Sequence, residues 1–112
     1  MGGPEMSLAD RRCNPGAGLL GPEELARMRE QLPDWRVAEN RRISKTFLFP
    51  DFQSALNFTN RIGAMAEEEA HHPEICLSWG RVDVQTWSHD AGGLTENDFI
   101  LAAKMDRAYF TR

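Results

Sequence analysis

The sequence of 112 residues has little cysteine and no long apolar run. Its two cysteines, Cys13 and Cys76, lie far apart and form neither a CxxC pair nor a zinc-ligand spacing. A disulfide between them stays open, but a reducing compartment is the default expectation. No apolar run approaches the ~20 residues of a membrane span, and the first residues lack the apolar stretch of a signal peptide. We therefore expect a cytoplasmic protein, with a nuclear location as the alternative.

The sequence also lacks an excess of positive charge, since 13 Lys and Arg face 17 Asp and Glu, for a net charge of −4. Proteins that bind nucleic acid or anionic membranes by general electrostatics carry a basic surface. Direct binding to nucleic acid and binding to membranes are therefore not expected. A chain of this length with 41% apolar residues is long enough for one domain that buries a core without metal or disulfide.

Glycine and proline divide the chain into two parts. Residues 1–20 are predicted to form a flexible N-terminal leader, because Gly and Pro interrupt every apolar period there and little apolar surface is available to bury. Residues 21–112 are predicted to form a single domain, because regular helical and strand patterns begin at that point.

Hydrophobic periodicity predicts the elements of this domain. Helices are expected to begin at Pro22, after the cap Asp51, and after a capping box formed by Thr95 and Asp98. Apolar–polar alternation predicts four strands, at residues 35–39, 43–49, 75–79 and 82–88. A hairpin turn is predicted at residues 40–41. The order α-β-β-α-β-β-α indicates the α+β class, with an antiparallel sheet and helices against one face.

The second predicted helix carries two apolar stripes. Phe58 and Met65 lie on a stripe that is partly separate from the main core stripe. This second stripe is either the edge of the core or a face that meets another subunit or a helical protein partner. The periodicity leaves both interpretations open.

The three histidines, His71, His72 and His89, lie in one short part of the domain. Pro73 favours an extended conformation at His72, so the two adjacent rings should point apart. Three histidines can hold zinc, but no HxH, HxxxH or HExxH spacing occurs here. Histidine also changes protonation near neutral pH, so a pair can donate one proton and accept another. Surface or hydrogen-bonded core histidines are the third interpretation.

The residues around these histidines form a wider pattern of rare residue types at fixed spacings. Its members are Glu67, His71, His72, Pro73, Trp79, His89 and Asp98. This pattern resembles the signature of the pterin-4a-carbinolamine dehydratases, and Leu32 to Trp35 resembles that family's entry into its first strand. The similarity covers about residues 19–112.

The resemblance implies a fold, a reaction and an assembly. The implied fold is a four-stranded antiparallel sheet with three helices packed on one face. The implied activity is that of a hydro-lyase, which removes water from a 4a-hydroxytetrahydropterin to give the quinonoid dihydropterin. This reaction recycles the tetrahydrobiopterin cofactor of aromatic amino-acid hydroxylases. The resemblance implies a pterin as small-molecule partner, no metal or organic cofactor, and a homodimer or homotetramer.

The resemblance also implies roles for single residues. The expected catalytic residues are His71, His72 and His89, and the expected substrate-binding residues are Glu67, His72, Pro73, Trp35 and Asp98. Of the histidines, His72 mainly holds the pterin, whereas the other two exchange protons with it. Asp98 also occupies the third position of the capping box, so capping alone is its alternative role. Trp35 and Pro73 have structural alternatives, as a core or pocket-wall residue and as a loop-shaping residue.

Two positions depart from the family pattern. Trp87 stands where a small hydroxyl residue is usual, and Thr86 replaces a usual apolar residue. Trp87 could narrow the pterin site, stack on the pterin ring or form a subunit contact. Members of the family also bind a homeodomain transcription factor through a helix face. A non-catalytic dimerisation cofactor or scaffold that acts through Phe58 and Met65 is therefore the alternative function.

Overall fold

The computed structural model describes residues 6–111 of the chain. Its elements follow the order α-β-β-α-β-β-α, which confirms the predicted α+β class. They are α1 (Pro22–Gln31), β1 (Arg36–Ala38), β2 (Arg42–Leu48), α2 (Phe52–Glu69), β3 (Glu74–Ser78), β4 (Arg81–Thr86) and α3 (Glu96–Phe110), preceded by a short 3-10 helix, Leu8–Asp10. The strands differ from their predicted bounds by one or two residues at each end.

The four strands form one antiparallel sheet in the order β1-β2-β4-β3. The two hairpins are joined by the central pair β2–β4, in which Phe47 lies opposite Val82 and Ile43 lies opposite Thr86. Side chains alternate between the two faces of a sheet, and residues directly opposite each other share a face. These four residues are fully buried, so they mark the face on which the core lies.

Helices α2 and α3 build the core against that face of the sheet. Helix α2 buries Ala55, Phe58, Ile62 and Ala66 at helical spacing, and α3 is buried over most of its length. Helix α1 buries no residue fully and packs against the same core through half-buried side chains. Within residues 6–111, no helix combines the length and the apolar character that crossing a membrane requires.

The second apolar stripe of α2 belongs to the core, which corrects the interpretation of Phe58 as an exposed anchor. Phe58 is only 4% exposed, and its ring centroid lies 4.8 Å from that of Phe47 and 5.1 Å from that of Phe49. Met65 is half-buried and packs against the same cluster. The reason is that helices on a single sheet face contact both the sheet and each other, so a wide apolar surface on α2 serves one core.

The turn between β1 and β2 lies one residue earlier than predicted. Glu39 and Asn40 both have positive φ, at 54° and 56°, and the Arg41 N–H donates to the Ala38 carbonyl at 2.9 Å. A two-residue hairpin turn of this kind needs positive φ at both central residues, because its twist then matches that of the strands. Residues 39 and 40 are therefore the turn, and Arg41 leads into β2.

Part of the segment formed by residues 6–20 packs against the domain, whereas the sequence pattern predicted little burial there. Leu8 is 3% exposed and joins the core. Beside it, the Lys104 ammonium donates to the Ala9 carbonyl at 2.9 Å and Arg107 pairs with Asp10 at 2.7 Å. A single leucine on one helical turn has no periodicity, so its burial against α3 leaves no pattern in the sequence. Residues 1–5 of the predicted leader lie outside the described residues.

Candidate active site

A pocket of about 320 Å³ lies between the end of α2, the end of β4 and the start of α3. All three histidines of the chain line it. Its walls include Pro15, Ala17, His71, His72, Trp87, His89 and Asn97. A larger concavity of about 740 Å³ lies on the open face of the sheet, but no histidine lines it. Imidazoles can exchange protons near neutral pH, so the smaller pocket is the candidate active site.

The end of α2 directs His71 into this pocket. Ala70 follows the last helical residue and adopts the left-handed conformation, with φ 54° and ψ 37°. The His71 N–H then donates to the Ala66 carbonyl at 3.1 Å, and the Ala70 N–H donates to the Glu67 carbonyl at 3.2 Å. This pair of bonds is the common way of closing a helix C-terminus. The chain reverses at this point, which places His71 at the pocket.

His71 is held by the buried carboxylate of Asp98. Its Nε2 lies 2.6 Å from Asp98 Oδ1, and the two side chains are 13% and 0% exposed. Asp98 also accepts hydrogen bonds from Thr86 Oγ1 at 2.8 Å, Ser88 Oγ at 2.8 Å and the Thr95 N–H at 3.0 Å. A carboxylate accepts, so the His71 Nε2 carries the hydrogen. This bond fixes the ring orientation and leaves Nδ1 for a ligand.

His72 makes a second imidazole–carboxylate pair, but at the surface. Its Nε2 contacts a carboxylate oxygen of Glu67, and the two side chains are 61% and 76% exposed. The two adjacent histidines therefore pair with carboxylates at different depths. This arrangement agrees with the prediction that their rings point apart.

His89 stands in the turn that follows β4, next to Trp87. The centroids of the Trp87 and His89 rings are 4.5 Å apart. Trp87 also contacts Arg42, whose guanidinium lies 4.9 Å from the centroid of the Trp87 ring. The turn is closed by the Ser88 N–H, which donates to the Gly93 carbonyl at 2.8 Å. Aromatic and cation–π contacts of this kind favour a fixed ring orientation. Trp87 therefore lines the pocket in contact with the His89 ring.

The sequence that forms most of this pocket matches one protein family. The sequence model described as "Pterin 4 alpha carbinolamine dehydratase" matches residues 19–108. The chain belongs to the pterin-4-alpha-carbinolamine dehydratase family. The members of this family are hydro-lyases.

Relatives in this family match nearly the whole chain. One from Rubrobacter xylanophilus, provisionally named a pterin-4-alpha-carbinolamine dehydratase, is 46% identical over 103 residues. The match covers 89% of this chain and 96% of that relative. One from Chlorobium limicola with the same provisional name is 50% identical over 95 residues, covering 82% of this chain and 84% of its own.

Solved structures share the fold. A transcriptional coactivator/pterin dehydratase from Brucella melitensis superposes with a TM-score of 0.75 at 33% identity, covering 80% of this chain and 97% of that one. A pterin dehydratase-like protein described as a RuBisCO assembly factor of the alpha-carboxysome gives a TM-score of 0.58 at 23% identity. That match covers 68% of this chain and 89% of the other, and it shows the common fold alone.

The dehydratase signature is brought together only in part. His71, His72 and His89 meet at the pocket, and Asp98 and Glu67 reach it through their histidine partners. Three other expected residues lie elsewhere. Trp35 is buried in the core, where its Nε1–H donates to Asp106 Oδ2 at 3.1 Å. Trp79 is 71% exposed, and Pro73 is half-buried just before β3 without lining the pocket.

The sequence analysis gave no site role to several residues in or beside the pocket. Thr86 and Ser88 supply hydroxyl donors to Asp98, and Asn97 lines the pocket beside it. One signal was present for Thr86. It continues the buried row of Val82 and Val84 on β4, and a hydroxyl on a core face requires a hydrogen-bond partner. Nothing in the local sequence indicates Pro15 or Ala17, which reach the pocket from the N-terminal segment.

Proposed function

We propose that this chain removes water from a 4a-hydroxytetrahydropterin to give the quinonoid dihydropterin, and so recycles the tetrahydrobiopterin used by aromatic amino-acid hydroxylases. One observation carries the proposal. A single pocket gathers all three imidazoles of the chain, and one of them is oriented by a fully buried carboxylate. Membership of the dehydratase family supports the substrate class.

The reaction requires two proton transfers. The C4a–O bond breaks, and the departing oxygen takes a proton and leaves as water. A ring N–H of the pterin loses a proton, and the electron pair left on that nitrogen forms a C=N double bond as the C4a–O bond breaks. His71 and His89 are the groups that we assign to these transfers. A positioned acid or base contributes about 10²–10⁴-fold in rate.

The other residues hold the bicyclic ring. His72 lies at the exposed rim of the pocket with Glu67 beside it. Its imidazole can donate to or accept from the polar edge of a pterin, and the Glu67 carboxylate can accept from it. Trp87 provides an aromatic wall beside His89, which suits a flat heterocycle. Asp98 acts through His71 and does not itself line the pocket.

The alternative function is binding of a partner helix through Phe58 and Met65. The burial of Phe58 removes the main contact residue of this alternative. Phe58 lies in the core of the chain and would not be available to a partner. The homodimer or homotetramer expected from the resemblance stays a prediction, and any partner protein would have to use a different surface.

The test generates a 4a-hydroxytetrahydropterin in situ and follows its dehydration by ultraviolet absorbance. The wild type should accelerate the decay, and His71→Ala and His89→Ala should each lower kcat/KM by about 10²-fold or more. Cys76→Ser, on the open face of the sheet, is the control and should match the wild type. No acceleration by folded wild-type protein would reject the proposed reaction.

A further inference from the structure

One wall of the pocket comes from residues that precede the family match. We call residues 12–17 the strap. The family model begins at residue 19, so the strap lies outside the residues that it matches. Two strap residues, Pro15 and Ala17, nevertheless line the pocket together with His71, His72, Trp87 and His89.

The first strap anchor is Glu69, at the end of α2. Its carboxylate accepts from the Cys13 N–H at 2.8 Å and lies 3.1 Å from the Arg12 guanidinium and 3.6 Å from the Lys104 ammonium. The Glu69 side chain is only 5% exposed. Burial by itself raises the pKa of Glu69, but the Cys13 N–H and the charges of Lys104 and Arg12 outweigh it, so the pKa is lowered. Glu69 is therefore a charged and largely buried residue that holds Arg12 and Cys13 of the strap.

The second strap anchor is Asn97, in the first turn of α3. Its Oδ1 accepts from the Asn14 N–H at 2.7 Å, and its Nδ2 donates to the Asn14 carbonyl at 2.7 Å. A side-chain amide that pairs with both backbone groups of one residue fixes both the position and the orientation of that residue. Asn97 is 7% exposed and directly precedes Asp98, which holds His71. Asn97 therefore fixes the strap, and its neighbour Asp98 fixes the His71 imidazole.

The anchored strap limits the space in the pocket. Its volume of about 320 Å³ is near the lower end of the ~300–1,000 Å³ typical of small-molecule sites. A flat bicyclic ring with a short substituent suits such a space, whereas a long substituent directed toward the strap would meet Pro15 and Ala17. Displacement of the strap would break the hydrogen bonds to Glu69 and Asn97, which are poorly accessible to water.

We propose that the strap is the specificity-determining wall of the site, and that it selects pterins with a short side chain over pterins with a long, folate-type side chain. The inference rests on the proposed function, because it concerns the ligand of the same pocket. It adds a selectivity that the histidines alone do not provide.

The test measures binding of two probes by isothermal titration calorimetry, 7,8-dihydrobiopterin with a short side chain and 7,8-dihydrofolate with a long one. The wild type should prefer the short probe. Ala17→Leu adds bulk inside the wall and should weaken binding of the short probe about tenfold. Asn97→Ala and Glu69→Gln each release one anchor, so each should raise the affinity for the long probe relative to the short one by about tenfold.

Gly18→Ala is the control, because an added methyl group there meets no atom within 4 Å. It should leave both affinities unchanged. Melting temperatures identify any variant that does not fold, and the remaining variants then decide the question. If folded anchor variants keep the wild-type ratio of affinities, the strap proposal is overturned while the pterin site stands. If the wild type binds neither probe, the proposed function fails and the strap proposal fails with it.

Discussion

Two imidazole–carboxylate pairs differ in depth although their histidines are neighbours in the chain. His71 and Asp98 are 13% and 0% exposed, whereas His72 and Glu67 are 61% and 76% exposed. The inner carboxylate has three further donors, but the outer one lies in water. An exposed ion pair contributes about 0–1 kcal/mol, whereas a buried one that loses a partner costs about 3–5 kcal/mol. The buried carboxylate of Asp98 therefore fixes the position of the His71 ring, whereas the exposed carboxylate of Glu67 holds His72 only weakly.

The difference in depth has a backbone origin. Ala70 reverses the chain after α2, and Pro73 favours an extended conformation at the residue before it. Successive side chains of an extended segment point to opposite sides. His71 consequently turns toward α3, and His72 turns toward the solvent beside the last turn of α2. The four predictions that follow test the wider contrast between buried and exposed carboxylates.

The largest effect is expected for Asp98→Asn. The amide keeps the shape but loses the charge, and its NH₂ group faces hydroxyl and N–H donors. The free energy of unfolding should fall by about 3 kcal/mol or more, and kcat for pterin dehydration by about 10²-fold or more. Urea denaturation and the dehydration assay measure the two quantities.

Asp83→Asn is the matched control for this substitution. Asp83 pairs with Arg81 on the open face of the sheet, at 52% and 36% exposure for the Arg81 and Asp83 side chains. Its loss should change the free energy of unfolding by less than about 1 kcal/mol. Equal effects of the two substitutions would contradict the contrast between buried and exposed carboxylates.

A smaller, pH-dependent effect is expected for Glu69→Gln. The folded pKa of Glu69 is lowered below its ordinary value of 4.5, because the Cys13 N–H and two cations outweigh the effect of burial. The associated stability is present above the unfolded pKa and is lost as the pH falls through the folded pKa. The variant should lose about 2 kcal/mol at pH 7 and approach the wild type below pH ~4.

Urea denaturation at several pH values between 7 and 3 measures this convergence. Glu68→Gln is the control, because Glu68 is the exposed neighbour of Glu69. A wild-type advantage that stays constant down to pH 3 would show that the charge of Glu69 does not stabilise the fold.

Thr86→Val should have a modest effect on the inner pair. It removes one hydroxyl donor from Asp98 Oδ1 and leaves the other donors in place. The free energy of unfolding should fall by about 1 kcal/mol, and kcat should fall by less than about tenfold. Thr86→Ser restores the hydroxyl and should recover most of kcat. Failure of the serine variant to recover kcat would indicate that the methyl group, rather than the hydrogen bond, matters.

The smallest effect is expected for Glu67→Gln, which alters the outer pair. The side chains of both His72 and Glu67 are mainly exposed to water. The free energy of unfolding should therefore change by less than about 0.5 kcal/mol. Because His72 is assigned to pterin binding, KM should rise while kcat stays near that of the wild type. A loss of kcat as large as that of Asp98→Asn would mean that the two pairs act alike.

The sequence predicts local features of the site well. The capping box was confirmed, because the Thr95 N–H donates to Asp98 and the Asn97 N–H donates to Thr95. The cap at Asp51 was also confirmed, since it accepts from the Ser54 N–H. Both are contacts between residues two or three positions apart, and such contacts depend on backbone geometry that the residue types determine.

Contacts between distant segments could not be predicted in the same way. Asp98 was recognised as a cap and as a family position, but its bond to His71 joins the ends of two helices. Periodicity alone left Phe58 between core and surface, and only the packing of α2 against the sheet decides its place. The strap reaches the pocket through backbone hydrogen bonds, which any residue can make, so its composition gives no signal.

The anchoring of the strap also gives the two thiols different reactivities. Cys76 is exposed on the open face of the sheet, whereas Cys13 is half-buried in the strap. Burial, reinforced by the nearby Glu69, raises the pKa of the Cys13 thiol to about 12, so its reactive thiolate form is rare while the strap is in place. A thiol reagent is therefore expected to label Cys13 more slowly than Cys76 in the native protein. Cys76 serves as the internal standard for this comparison, because its thiol is exposed on the open face of the sheet.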